Sequence, residues 1–214
     1  CPEAATQAGF RRLARGRTTA AMAQLEREVA PGLFHLCDSA IPPATLRELA
    51  RREPGGAPWY GFARFHRDLT RPELARGLRR GGCLMLQLGL ESASPAVLAR
   101  LGKGIDPGLA ADALHNLSEA GIGVYLYVMF GTPGEARDDA EATLRFVERH
   151  AGAIRYLNTS LLNLPVQTAP EPDLRLEPFP VANDLTLYTG FRCRTGWDRR
   201  AARRFLEREF ARHP

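Results

Sequence analysis

The chain has 214 residues and 44% hydrophobic content, enough for one large domain with a substantial core. It carries 29 Lys and Arg against 24 Asp and Glu, a net charge of +5, but the arginines are scattered over predicted helix faces, which argues against a nucleic-acid stripe. Its four cysteines form no CxxC pair, and there is neither a signal peptide nor a bilayer-long apolar run, so a secreted disulfide scaffold and a membrane protein are excluded and a cytoplasmic protein is expected.

Residues 1–16 lack periodicity and read as a loop; the abrupt start at Cys1 suggests a piece of a longer protein. Thr18 or Thr19 is expected to cap a helix through Val29, with Ala21, Met22, Leu25 and Val29 on one face. Residues 33–37 read as a short strand with Asp38 and Ser39 at its end. Pro43 opens a helix carrying Leu46, Leu49 and Ala50 on one side. Residues 59–65 are a second strand, with Arg64 near its end. Pro72 opens a helix to Arg80, which Gly81-Gly82 stops.

The apolar run 83–90, CLMLQLGL, is the clearest buried strand, and it ends in the polar tip Glu91-Ser92-Ala93-Ser94. Ser94-Pro95 opens a short helix through Leu101, and Lys103 follows in a glycine-flanked loop. Asp106-Pro107 starts a helix with Leu109, Ala113, Leu114 and Leu117 inside. Residues 122–130 form the next strand, leading through Gly131-Thr132-Pro133-Gly134-Glu135 into a helix to His150. Residues 154–163 are the last clear strand. Residues 164–183 read as a long loop, residues 185–188 as a short edge strand, and 197–210 as a basic helix packing through Phe205, Leu206 and Phe210.

The order α-β-α-β-α-β-α-α-β-α-β implies a parallel sheet with right-handed crossovers. Every polar tip falls at the carboxyl end of a strand, the end that carries ligand chemistry in such folds. The expected fold is therefore α/β, a partial (β/α) barrel: a horseshoe-like parallel sheet with outer helices. Residues 1–163 would form the barrel, and 164–214 a loop and basic helix packed on it, with residues 164–193 and Arg192–Arg194 helping to cover the open side.

Three segments together resemble the radical S-adenosylmethionine (SAM) enzymes of the type associated with a cobalamin-binding domain. Leu88-Gly89-Leu90-Glu91-Ser92-Ala93-Ser94, followed by Lys103-Gly104, is similar to the family's fourth-strand motif, whose polar tip contacts SAM. Met129-Phe130-Gly131-Thr132-Pro133-Gly134-Glu135 is similar to its fifth-strand pattern, which packs on adenine. Cys1-Pro2-Glu3 resembles the tail of its C-x3-C-x2-C cluster loop. The resemblance covers Cys1 to about Asn163. It implies SAM and a [4Fe–4S] cluster as cofactors, with cobalamin in a separate domain, and an electron donor such as flavodoxin or ferredoxin. The implied activity is formation of a 5′-deoxyadenosyl radical that abstracts hydrogen from a substrate not readable here. One thiolate cannot hold a cluster, so the first strand and two further cysteines would lie upstream, and this piece alone would be inactive.

On that resemblance Cys1 is a metal ligand, and Asp38, Ser39, Arg64, Glu91, Ser92, Met129, Gly131 and Glu135 are candidate cofactor-binding residues. Each has a plainer reading. Glu91 is an acceptor for ribose hydroxyls or the SAM ammonium, or a carboxylate at a helix N-terminus. Asp38 stands where the family often places Gly-Gly-Glu. Arg64 is a partner of the SAM carboxylate, or of Asp38 or Glu91. Ser94 is as readily an N-cap, and Glu135 a brace for its own loop. Lys103 reaches an anionic group or is a solvated loop residue. His35, on an apolar strand, reads as a core residue, Cys37 and Cys83 as small hydrophobes, and Trp59, Tyr60 and Phe62 as packing. Two rivals remain open: a non-iron β/α-barrel lyase, and a basic RNA-binding module of a modification enzyme.

Overall fold

The computed structural model describes residues 14–168, 174–177, 187–194 and 196–212. The strands β1 (Phe34–Ile41), β2 (Trp59–Ala63), β3 (Cys83–Glu91), β4 (Gly123–Phe130) and β5 (Tyr156–Leu161) form one sheet in the order β1-β2-β3-β4-β5. All four pairings are parallel. Sequential order with right-handed crossovers puts every connecting helix on one face. The result is an open arc of a β/α barrel, as the alternation of elements implies.

The helices are α1 (Arg17–Val29), α2 (Pro43–Leu49), α3 (Pro72–Arg80), α4 (Pro95–Arg100), α5 (Pro107–Glu119) and α6 (Arg137–Arg149). Proline starts four of them, where its missing N–H costs nothing. Ser94 and Asp106 cap two of these by accepting from Val97 N (3.4 Å) and Leu109 N (2.9 Å). The core is the helix-facing side of the sheet. Leu86, Leu88 and Leu90 of β3 and Val124, Leu126, Val128 and Phe130 of β4 join Leu46, Leu49, Leu78, Leu114 and Leu117 in one cluster. Each such residue, fully buried, contributes about 1.5–3 kcal/mol. The alternate residues Tyr60, Phe62, Met85, Gln87, Tyr125, Tyr127 and Met129 face the other way and are half-buried.

Several expectations are corrected. Neither Thr18 nor Thr19 caps α1. The Glu48 carboxylate of α2 does so from across the fold, accepting from Gly16 N (2.9 Å) and Thr19 N (3.3 Å). Of the face expected on α1, Met22 is buried, but Leu25 and Val29 are 43% and 66% exposed, because this helix lies at the edge and packs chiefly beside α2. The first strand continues to Ile41 through a register irregularity, so Asp38 and Ser39 lie within it and are exposed. Cys37 is exposed, and so is His35, whose ring stacks on Tyr60 at 4.4 Å. Cys83 is buried, which pushes its thiol pKa up. Trp59 is core, whereas Tyr60 and Phe62 are on the opposite, half-open face.

Within the stretch read as a loop, β6 (Leu164–Pro165) and β7 (Leu174–Glu177) are strands. The short edge strand is instead β8 (Tyr188–Cys193), the middle strand of an antiparallel sheet ordered β6-β8-β7. That sheet has its own small core of Leu164, Leu174, Phe191 and Cys193. The last helix, α7 (Arg199–Arg208), belongs to the main core. Trp197, Ala202, Phe205 and Phe210 pack there, with Phe130 of β4 lying 5.8 Å from Phe205 and 5.3 Å from Phe210.

Candidate functional site

The strand ends form one rim because all five strands run the same way. Its centre is Glu91, the last residue of β3, in a left-handed backbone conformation (φ 65°). Pairing with β4 slips between Gly89 and Glu91, and the kink turns the carboxylate back over the strand. A Cβ at Gly89 would lie 2.7 Å from Glu91 Oε1 and 3.5 Å from Lys103 Nζ. Glycine at 89 is thus what lets the carboxylate and the ammonium settle over the strand.

Lys103 Nζ donates to Glu91 Oε1 at 2.7 Å, and the two side chains are 23% and 20% exposed. Local sequence aims the lysine. Gly102 (φ 60°) ends α4 in a Schellman turn, with Gly102 N donating to Ala99 O (3.1 Å) and Lys103 N to Leu98 O (3.1 Å). The residue after that glycine is thereby fixed beside the end of β3.

Strand registers fill out the surroundings. Tyr127 lies opposite Gly89, and Met129 opposite Ser160. Arg64 follows Ala63, which pairs with Leu88, so it stands at the level of Gly89. An open cavity of about 750 Å³ lies between the ends of β1 and β2 and the segment after α4, and is lined by Ser39, Arg64, His66, Arg67, Lys103 and Leu109, among others. Arg64 is exposed and forms no ion pair among the described residues. Glu91 takes Lys103 as its partner instead.

The structure therefore brings together Ser39, Arg64 and Glu91, the last through Lys103, with Met129 farther along the same face. Other candidates lie elsewhere. Asp38 is exposed on β1 and does not line the cavity. Ser92 is fully buried. Its hydroxyl meets Thr143 Oγ1 at 3.1 Å and accepts from Ser94 N at 3.1 Å, which commits it to the seam between the β3 tip and α6. Ser94 caps α4 and donates to Asp139 Oδ1 at 2.5 Å. Cys1 lies outside the described residues.

Glu135 is buried at the β4 tip and braces its own loop. Its Oε2 accepts from Gly131 N, from Thr132 N (3.1 Å) and from the Trp197 indole (3.2 Å). Burial raises its pKa from the ordinary 4.5 to about 7, with the three donors pulling the other way. Gly131 turns with φ 75°, and a Cβ there would lie 3.4 Å from the Ala202 Cβ. The loop thus sits directly against α7.

Sequence reasoning missed four features: the Thr143 and Asp139 partners of the β3 tip, the Trp197 bond to Glu135, and the aromatic inner face. Phe62 and Tyr127 are 5.5 Å apart, Tyr125 and Tyr127 4.7 Å, and Tyr125 and Tyr156 5.7 Å. The signal for the last was the two-residue alternation in Tyr125-Leu126-Tyr127, which splits the strand into a tyrosine face and a core face. Burial and the neighbouring Tyr125 push the Tyr127 phenol pKa up, so it stays protonated.

Chemically, the rim offers an acceptor at Glu91, cations at Arg64 and Lys103, hydroxyls at Ser39 and Ser160 and a thioether at Met129. That set fits a ligand with ammonium, carboxylate and sugar hydroxyl groups, and so fits SAM. A cluster is not matched by the described residues: Cys37, Cys83 and Cys193 lie on different elements, and no three His, Cys, Asp or Glu gather as a metal site among them. No helix among the described residues is long and apolar enough to cross a membrane.

Residues 45–147 match the model of the radical SAM superfamily. An "Uncharacterized methyltransferase PH0819" of Pyrococcus horikoshii is 32% identical over 120 residues, which is 56% of this chain and 24% of that protein. The "Heme chaperone HemW" of Mycobacterium tuberculosis is 39% identical over 73 residues, 34% of this chain and 19% of that protein. The chain thus spans about a quarter or less of these relatives. Among solved structures, the radical SAM methyltransferase TsrM of Kitasatospora setae, with cobalamin and a [4Fe–4S] cluster bound, superposes with TM-score 0.58 at 21% identity, over 76% of this chain and 36% of TsrM. The coproporphyrinogen III oxidase HemN of Escherichia coli, a radical SAM enzyme, gives 0.50 at 15% identity, over 67% and 36% of the two chains. Domain model, relatives and sheet topology agree: residues 45–147 are similar to the radical SAM superfamily, whose members use SAM and a [4Fe–4S] cluster, and the sheet has the fold of its partial barrels.

Proposed function

We propose that this chain is the SAM-binding part of a radical SAM enzyme and that the cofactor lies on the helix-free face at the carboxyl rim. The observation that carries the reading is the Glu91–Lys103 pair turned over Gly89 in line with Arg64 and Met129. Bound there with its cluster, SAM would supply an adenosyl radical able to remove a hydrogen atom. The chain's own residues bind and orient. Glu91 accepts from the ribose hydroxyls or the ammonium, Lys103 holds the Glu91 carboxylate in place, and Arg64 pairs with the carboxylate of SAM. Met129 offers an apolar surface to the adenine, and Glu135 keeps the Gly131–Glu135 turn in shape from behind.

Cys1 as a cluster ligand, a reductant such as flavodoxin or ferredoxin, and a separate cobalamin domain complete the proposal. The relatives named as methyltransferases, one with cobalamin bound, favour a methyl-transferring outcome. The test uses the complete protein, reconstituted anaerobically with iron and sulfide. Reductive SAM cleavage is expected, with S-adenosylhomocysteine affinity lowered about tenfold in Glu91→Gln and in Lys103→Met. Unchanged affinity in both variants would remove the rim from the cofactor site.

A further inference from the structure

The inner face beneath the rim carries a feature that cofactor binding does not use. Phe62 of β2, Tyr125 and Tyr127 of β4, and Tyr156 of β5 form a continuous aromatic wall, with neighbouring rings 4.7 to 5.7 Å apart. Phe62 and Tyr127 touch although β3 runs between their strands. They meet over Gln87 and Gly89, the residues registered beside them. The same Gly89 carries the Glu91–Lys103 pair. The wall and the rim are therefore adjacent floors of one face.

The wall has no structural need for so many rings. The core lies on the other face and has its own aromatic residues, Trp59, Phe65, Phe130 and Phe146 among them, so it does not draw on these rings. Tyr125, Tyr127 and Phe62 are only half-buried, and Tyr156 is 55% exposed. Below the rim, the inner-face positions of β2 to β5 are Tyr60, Phe62, Met85, Gln87, Gly123, Tyr125, Tyr127, Tyr156 and Asn158, with no Asp, Glu, Lys or Arg. An ionic group laid there would give up part of its water and meet no charged side chain at these positions, a cation gaining only a weak cation–π contact in return. A flat conjugated ring gains stacked and edge-on contacts instead, and the phenol groups of Tyr125, Tyr127 and Tyr156 serve its polar edge.

We propose that this wall is the substrate surface and that it selects a planar, conjugated, uncharged ring system over saturated or ionic molecules. Phe62 and Tyr127 are the specificity-determining residues. The proposal rests on the SAM-site reading above, since it seats the ring directly beneath the rim.

The test uses the complete, cluster-reconstituted protein and three probes: 2-naphthol, its saturated counterpart decahydro-2-naphthol, and tetraethylammonium. Dissociation constants come from ligand-observed NMR, with S-adenosylhomocysteine measured alongside. Wild type should prefer 2-naphthol at least threefold over both others. Tyr127→Leu and Phe62→Leu, which keep apolar bulk and remove the ring, should each weaken 2-naphthol roughly 2- to 10-fold. They should leave S-adenosylhomocysteine within twofold; if one variant fails to fold, the other decides. Equal binding of the saturated probe, tighter binding of tetraethylammonium, absence of any 2-naphthol binding, or indifference of 2-naphthol to both variants would overturn the proposal. Glu91→Gln separates the two readings. If it leaves S-adenosylhomocysteine affinity intact while Tyr127→Leu still weakens 2-naphthol, the wall stands and the cofactor site falls. If only the S-adenosylhomocysteine response appears, the wall falls and the cofactor site stands.

Discussion

Lys103, the only lysine in the chain, donates to Glu91 at 2.7 Å across a strand whose residue 89 has no side chain. Gly89→Ala tests that arrangement. The added methyl would overlap the carboxylate, the mobile end of a side chain, so the sheet survives and the pair is displaced. The expected result is a melting temperature within a few degrees of wild type and at least a fivefold loss of S-adenosylhomocysteine affinity by calorimetry.

Glu91 holds a left-handed conformation that costs a residue with a Cβ about 1 kcal/mol. Glu91→Gly removes both the strain and the carboxylate, whereas Glu91→Ala removes only the carboxylate. Urea denaturation should find the glycine variant about 1 kcal/mol more stable than the alanine variant, with ligand affinity equally reduced in both. A carboxylate needed for folding would make both variants unstable together.

The buried Glu135 makes stability depend on pH. Its folded pKa, about 7, lies above the ordinary 4.5. Between those values the folded chain holds a proton that the unfolded chain has lost, so stability falls as pH rises through the window and levels off above it. The integrated loss is about 3 kcal/mol. Glu135→Gln should abolish that slope. Urea midpoints at pH 5 and pH 8 in both proteins measure it, and parallel curves would contradict it.

Thr143 Oγ1 accepts from Ala93 N at 3.0 Å and meets Ser92 Oγ at 3.1 Å. Thr143→Val keeps the shape and strands the buried Ala93 N–H, at a cost of about 1–3 kcal/mol. Ser92→Ala should likewise lower the melting temperature, and both variants should bind S-adenosylhomocysteine as wild type does. A selective loss of affinity in Ser92→Ala would return that hydroxyl to the ligand.

Phe205 is 1% exposed and lies among Phe130, Trp197 and Phe210. Phe205→Ala should cost roughly 3–5 kcal/mol. A cost below 1 kcal/mol would make α7 a loosely attached tail.

The sequence by itself determined the order of the elements as far as β5, the parallel sheet and the proline-started helices. These follow from local physics: periodicity separates strand from helix, proline and glycine punctuate, and alternating elements with right-handed crossovers admit few topologies. Only the tertiary structure decided which polar groups of the tips reach the rim. Ser92 and Glu91 are neighbours in sequence, yet one is sealed against Thr143 and the other lies over Gly89. Glu135 bonds Trp197 across 62 positions, and Glu48 caps a helix 29 to 32 positions before it. A side chain's pattern tells whether it is buried, but its partner is fixed by which strands and helices come to lie side by side, and that is settled only when the whole sheet closes over its core.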